Sequence, residues 1–329
     1  DFDIRWLWPS AQAEGALCSC PVTAEALTGA LHAMAQQGNT PFGVYVTSPD
    51  YLGGVQELPA LAAVCRAQGV PLLVDNAHGA YLRFLPQNCH PIAQGAAMCC
   101  DSAHKTLPVV TGGAYLHLAH DAPVQDEAAV RGALALFGST SPSYLILQSL
   151  DACNAVLAGD YPRRLVQCCA ALEGLRRSLN KTAAARQCPV PLAVAGAQQE
   201  PMKLTLDAAA LGCTGTALAE ALRRAQLECE YADPRYVVLM FTPENPPQDY
   251  TRLQTALEQL LAAVPAGLPR PENRAGEFAA LQQQAAQRCT IRQAVLGAQV
   301  RVPVHKALGR VCAMPTVSCP PAIPVAVSG

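Results

Sequence analysis

At 329 residues the chain has room for two to three domains of ordinary size, each able to bury a core. A formal net charge of -2 with only 15% charged residues excludes a protein that coats nucleic acid, and 51% apolar content excludes a disordered chain. Charged residues, Pro or Gly interrupt every apolar run before the roughly 18–20 residues a membrane helix requires, so the chain reads as soluble.

Asp1-Phe2-Asp3 carries neither an initiator Met nor the basic and apolar regions of a signal peptide. Fifteen scattered cysteines, an odd number, make no disulfide framework, and a cytoplasmic, reducing compartment is expected. Cys18 and Cys20 stand one residue apart, Cys99-Cys100 and Cys168-Cys169 are vicinal, and no Cys-x-x-Cys occurs. The cysteines are therefore read as small buried hydrophobes, and no metal site is expected from them.

In chain order, Ala24–Gln36 has helical spacing and Phe42–Val46 reads as a strand. Gln56–Gln68 puts Leu58, Leu61, Val64 and Cys65 on one helical face, and Gly69 stops that helix before the strand Val70–Val74. Short strands near Ala96–Cys100 and Ala114–Leu118 extend the same sheet, which gives an α/β layer with mainly parallel strands. A long helical stretch from Tyr144 to about Leu179, broken at Gly159 and Pro162, leads out of this first domain, residues 1–150. The second, residues 151–264, reads as strand Met202–Leu206, helix Thr216–Gln226, strands Glu228–Tyr231 and Tyr236–Phe241, and helix Gln248–Val264, an α+β module. A third, residues 265–329, opens with the linker Pro265–Glu272, continues with a Gln-rich helix around Gln282–Gln284 and ends in the Pro-rich segment Pro320–Pro324.

Two segments carry recognisable chemistry. The strand Val70–Val74 runs into Asp75-Asn76-Ala77-His78-Gly79, and a carboxylate at a strand's carboxyl end projects to where open α/β sheets bind ligands. The second segment, Asp101-Ser102-Ala103-His104-Lys105-Thr106, also follows a short strand and is trailed by Thr111-Gly112-Gly113. Pyridoxal 5'-phosphate needs such a set: an amine for a Schiff base, an acid to keep the pyridine nitrogen protonated, and donors for the phosphate. Lys105 supplies the amine, Asp75 the acid, and Ser102 and His104 the donors; desolvation and neighbouring cations are expected to make the lysine nucleophilic. Taken singly, a strand-end Asp is as readily a cap, His78 a surface histidine and Lys105 a solvated lysine.

These residues resemble the bacterial ornithine/lysine/arginine decarboxylases of the aspartate-aminotransferase fold. Leu73-Val74-Asp75-Asn76-Ala77-His78-Gly79 is similar to that family's strand-Asp-x-Ala-His-Gly motif, and Ser102-Ala103-His104-Lys105-Thr106-Leu107 to its Ser-x-His-Lys signature. Ser141-Pro142-Ser143-Tyr144 and Gln148-Ser149-Leu150-Asp151-Ala152 resemble the opening of the long helix. Arg301-Val302-Pro303, Lys306–Arg310 and Pro320–Pro324 resemble the family's C-terminal domain, although Ala322 stands where a glycine is common.

The resemblance implies a fold-type I cofactor-binding domain, a smaller α+β domain and a C-terminal decarboxylase module. It implies Lys105 for the Schiff base, Asp75 for the ring nitrogen, Ala77 against one ring face, Ser102 and His104 for the phosphate, and His78 near the cofactor's 3-oxygen and the substrate. The reaction implied is α-decarboxylation of arginine, lysine or ornithine to the amine, in polyamine metabolism, by a homodimer that the Thr140–Ser143 segment helps to join. The family's Gly/Ser-rich phosphate loop and ring-stacking residue are expected upstream of Asp1, since nothing before Phe42 matches them and His32 lies in a helix; the chain thus reads as an N-terminally truncated member. Another fold-type I activity, such as an aminotransferase or lyase, and a non-catalytic remnant are the competing readings. Glu57, Asp101 and Glu244 are available for a substrate's distal amine or guanidinium, and the sequence does not choose among them.

Overall fold

The computed structural model describes residues 4–8, 18–19, 21–139, 141–265, 267–269, 287–318 and 323–329, with backbone alone for 316–318 and 323–326. The chain divides into two compact units, one carried by residues 19–271 and the other by 272–329.

In the first unit, helix α1 (Ala24–Gln36) begins at Thr23, whose hydroxyl accepts from the Ala26 amide, and buries Leu27 and Leu31. Strand β1 (Val44–Thr47) follows, then α2 (Leu58–Ala67), β2 (Leu72–Asp75), β3 (Met98–Asp101), the single turn α3 (Ala103–Thr106) and β4 (Tyr115–Leu118). The sheet runs in the order β1-β2-β3-β4, with the first three strands parallel and β4 antiparallel to β3. Side chains alternate across it. Val44, Val46, Leu72, Val74 and Cys99 point to one face and pack with Leu58, Leu61 and Cys65 of α2 and Leu27 and Leu31 of α1. Tyr45, Asp75 and Cys100 take the opposite face.

Helices α4 (Glu127–Phe137) and α5 (Tyr144–Ala158) lead to α6 (Tyr161–Ala185). Along α6, Tyr161, Leu165, Cys168, Leu172, Leu175, Leu179 and Ala183 recur at spacings of three and four, which puts one stripe into the core. That stripe packs on the sheet β5-β7-β6, made of β5 (Lys203–Asp207), β6 (Tyr231–Ala232) and β7 (Tyr236–Met240), together with α7 (Gly215–Arg224) and α8 (Pro247–Ala262).

The elements differ from the sequence reading in three places. Helix α4 was not expected, because none of its residues is buried and its apolar pattern has no core to refer to. Strand β6 begins at Tyr231 and not at Glu228, whose carboxylate is taken by Arg223. The long helical stretch breaks at Gly159 and restarts with Pro162 in the first turn, as read, but runs on to Ala185 and not to about Leu179.

In the second unit the described residues form the helix Ile291–Leu296, capped reciprocally by Thr290 and Gln293, and an antiparallel pair, β8 (Thr316–Ser318) with β9 (Ile323–Ala326). The expected Gln-rich helix, Pro320–Ala322, half of the Pro265–Glu272 linker and Thr140 lie outside the described residues.

Candidate active site

Because β1, β2 and β3 are parallel, their carboxyl ends open on one edge, where Thr47 pairs with Asp75 and Asp75 with Cys100. The segments that leave this edge, 48–56, 76–79 and 102–106, are the natural walls of a ligand site.

Lys105, in the short α3, reaches His78: its Nζ lies 3.3 Å from His78 Nε2. Lys105 is exposed while His78 is buried. The expected desolvation of the lysine is therefore not supplied by the chain's own residues; what surrounds it is positive charge from Lys203 and a wall formed by His78. Burial, followed by the charges of Lys203, Lys105 and His104, pushes the His78 imidazole down to about 2, so the ring is neutral. With the lysine as donor, the ring proton sits on Nδ1, which is buried and has no partner.

Asp75 stands at the last position of β2. Its Oδ1 accepts from the Ala77 amide at 3.0 Å, and its Oδ2 accepts from the Tyr45 hydroxyl at 3.3 Å. Burial and then the Asp75 charge raise the Tyr45 phenol above its ordinary range, which keeps it a donor. No hydrogen bond joins Asp75 to Lys105 or His78 among the described residues. Ser102 occupies the N-cap position of α3 without a side-chain capping bond. The Nδ1 of His104 lies 2.9 Å from the Gly113 carbonyl, so this nitrogen donates and the ring's Nε2 donates only in the imidazolium form.

Several residues absent from the sequence reading gather behind His78. A small cavity is lined by His78, Tyr81, Thr106, Glu200, Met202 and Lys203, among others. Tyr81 donates to Glu200 Oε2, and Lys203, 3% exposed, donates to the carbonyls of Asp50 at 2.9 Å and Tyr51 at 3.1 Å. Tyr51 meets the His78 ring edge-on at 4.9 Å and donates to Glu230 Oε1 at 2.5 Å. Lys203 had a sequence signal, a cation inside the apolar run Met202–Leu206, all of which is buried. Such a residue is rarely solvated and needs a partner.

The three acids considered for the substrate are otherwise engaged. Asp101 is on the opposite sheet face from Asp75, where it accepts from Asn76 Nδ2 at 2.6 Å. Glu244 pairs with Arg164 at 2.9 Å, and Glu57 accepts from Gln198.

Comparison with known proteins gives this arrangement its class. The constitutive lysine decarboxylase of E. coli superposes with a TM-score of 0.63 over 99% of this chain and 57% of that one at 17% identity, a likeness of fold. The α/β unit is that of the fold-type I, aspartate-aminotransferase-like enzymes that use pyridoxal phosphate. A family model described as Orn/Lys/Arg decarboxylase, major domain, matches residues 6–198, and the chain belongs to that family. Among relatives, the arginine decarboxylase of Bacillus subtilis (strain 168) is 27% identical over 298 residues, 87% of this chain and 58% of that protein. The uncharacterized protein YaaO of the same strain is 32% identical over 204 residues, 60% of this chain and 41% of YaaO. The chain thus spans about half the length of the relatives it matches.

The cofactor of this family is pyridoxal 5'-phosphate, and the residues present fit it. Among the described residues, three buried polar atoms without partners, His78 Nδ1, Thr106 Oγ1 and Glu200 Oε1, belong to residues that line a small cavity beside Lys105's partner. Orphaned groups of this kind cost free energy unless a ligand or water meets them.

Proposed function

We propose that the protein is a pyridoxal-phosphate-dependent decarboxylase of a basic amino acid, arginine, lysine or ornithine, with Lys105 as the residue that holds the cofactor covalently. The observation that carries this reading is the Lys105–His78 contact at 3.3 Å on the carboxyl edge of the parallel strands, inside both family-like motifs. When bound, the cofactor supplies an electron sink for the pair left on the substrate's α-carbon.

The chain's own residues do the rest. Asp75, kept in position by Tyr45 and the Ala77 amide, would hold a proton on the ring nitrogen. His78, neutral, offers Nδ1–H to an oxygen of the cofactor or substrate and accepts at Nε2 from Lys105. Ala77 would pack on a ring face, and Ser102 with His104 would bind the phosphate. Lys105, which would hold the cofactor, would also supply the proton that takes the place of the lost carboxylate on the α-carbon.

Residues 1–150 are assigned to cofactor binding, 151–264 to the small domain and 265–329 to the C-terminal decarboxylase module. The product amine places the protein in polyamine metabolism, and a homodimer in the cytoplasm is the proposed working form. Supporting this are thirteen free cysteines among the described residues and the exposure of Leu136, Phe137, Tyr144 and Leu145 on either side of the 140–143 segment. No described helix is long and apolar enough to cross a membrane.

Borohydride reduction of the protein reconstituted with pyridoxal phosphate, followed by peptide mapping, tests the cofactor site; the pyridoxyl label is expected on Lys105 and lost in Lys105→Ala. Release of CO2 with an amine from arginine, lysine or ornithine tests the reaction. A label on another lysine, or a keto acid as product, overturns the corresponding part.

A further inference from the structure

On the sheet face opposite Asp75, three donor atoms from three separate segments converge. His90, which caps a short turn of helix at Pro91–Gln94, and His117 of β4 each bring Nε2 to 3.0 Å from the same oxygen, Oδ2 of Asp101. All three ligand-type atoms lie within 4.8 Å of one another. The register explains the meeting: Cys99 pairs with His117 across β3–β4, so Asp101, two residues along, is His117's diagonal neighbour on the same face. His90 and Asp101 are 5% and 3% exposed, whereas the His117 side chain is 38% exposed and leaves a way in from solvent.

We propose that His90, Asp101 and His117 form a zinc site. Around tetrahedral zinc, with bonds of about 2.0–2.1 Å to nitrogen and oxygen, neighbouring ligand atoms stand about 3.3 Å apart. The observed contacts therefore need to open by only a few tenths of an ångström. The second oxygen of the carboxylate is already fixed: Asn76 Nδ2 donates to Asp101 Oδ1 at 2.6 Å, the outer-shell bond that aims a metal-binding carboxylate. Cys99 Sγ, 3.7 Å from His90 Nε2, adds a soft atom beside the two imidazoles and the carboxylate. That company favours zinc over calcium or magnesium, which take oxygen ligands. Water from the open side of His117 completes the coordination. The ion braces β3, β4 and the 88–94 turn together, directly behind the strand end from which Ser102 to Lys105 depart.

The site is tested without the cofactor. The protein is stripped with EDTA, passed through gel filtration, titrated with zinc chloride and analysed for metal. One zinc per chain is expected, with a rise in Tm and proton release as the imidazoles are metallated. Asp101→Asn and His117→Gln are each expected to weaken zinc binding by about ten-fold or more. His117, partly exposed, provides a variant that keeps the wild-type circular dichroism should Asp101→Asn fold poorly. Absence of bound zinc after filtration, or unchanged affinity in folded His117→Gln, overturns the assignment.

Discussion

Lys105 Nζ stands 3.3 Å from His78 Nε2, and the two residues divide the environment between them: the lysine is exposed and the histidine buried. An imidazole pushed from 6.5 to about 2 takes up no proton in the folded chain as pH falls, while the unfolded chain is protonated below 6.5. The unfolded state thus binds more protons in that window, and stability falls on acidification between 6.5 and about 2. One such proton gives a slope of at most about 1.4 kcal/mol per pH unit. Urea unfolding over this range is expected to show a steeper loss for wild type than for His78→Gln; equal slopes contradict the buried, neutral ring.

Lys203 makes the opposite end of the pH scale informative. Burial lowers its pKa from 10.5 to about 8, against the raising effect of Glu200, Asp50 and Glu230 and with a further lowering by Lys105. Between about 8 and 10.5 the unfolded chain holds the proton that the folded chain has lost, so stability due to this group rises with pH. Measured against Lys203→Met, wild type should gain stability across that interval. The hydrogen bonds lost in the variant shift the whole curve and leave the difference in slope readable.

Gly79 is fixed by close approach. A Cβ there collides with Asn76 Oδ1 and meets Pro49 Cδ at 2.8 Å, and Asn76 is fully buried and tied to Asp101. Gly79→Ala is expected to destabilise by about 1–3 kcal/mol, with thermal unfolding as the measure, and to weaken pyridoxal phosphate binding through displacement of the Asp75–His78 turn.

Arg176 anchors the entry to β5. Buried in α6, it gives Nη2 to the carbonyls of Pro201 at 2.9 Å and of Lys203. Arg176→Met leaves those carbonyls without their donor, at a cost of about 2–4 kcal/mol, read from denaturant midpoints. A change under a few tenths would mean that water replaces the guanidinium.

Phe137, 94% exposed, and Leu136, 79% exposed, serve as a test of the dimer. Replacing both with Ser is expected to raise the monomer fraction in sedimentation while leaving the circular dichroism intact. An unchanged distribution places the interface elsewhere.

Much of the front face was legible in the sequence because its signals are local. Asp75, His78 and Lys105 sit in two short motifs, each following a strand that apolar runs announce, and α1 spans Ala24–Gln36 as its periodicity predicts. The exposure of Lys105 is not legible there, since exposure depends on what chain covers a residue and not on its neighbours in sequence. The rear face was illegible for a related reason. His90, Asp101 and His117 follow no ligand-spacing rule; an antiparallel register and a loop between β2 and β3 bring them together. Lys203 and Glu200, remote from both motifs, meet His78 only because β5 docks against the segment after β1.

The Asn76–Asp101 hydrogen bond links peptide units next to both motifs, since Asn76 follows Asp75 and Asp101 precedes Ser102. A sheet one residue thick has its two surfaces joined at this point: the Asp101 carboxylate on the rear face is one peptide from Ser102 on its own strand and, through Asn76, one peptide from Asp75 on the neighbouring strand. In the proposed holoenzyme, pyridoxal, a chromophore whose colour follows the proton on its ring nitrogen, would then be an optical gauge of what the hidden side of the sheet is holding.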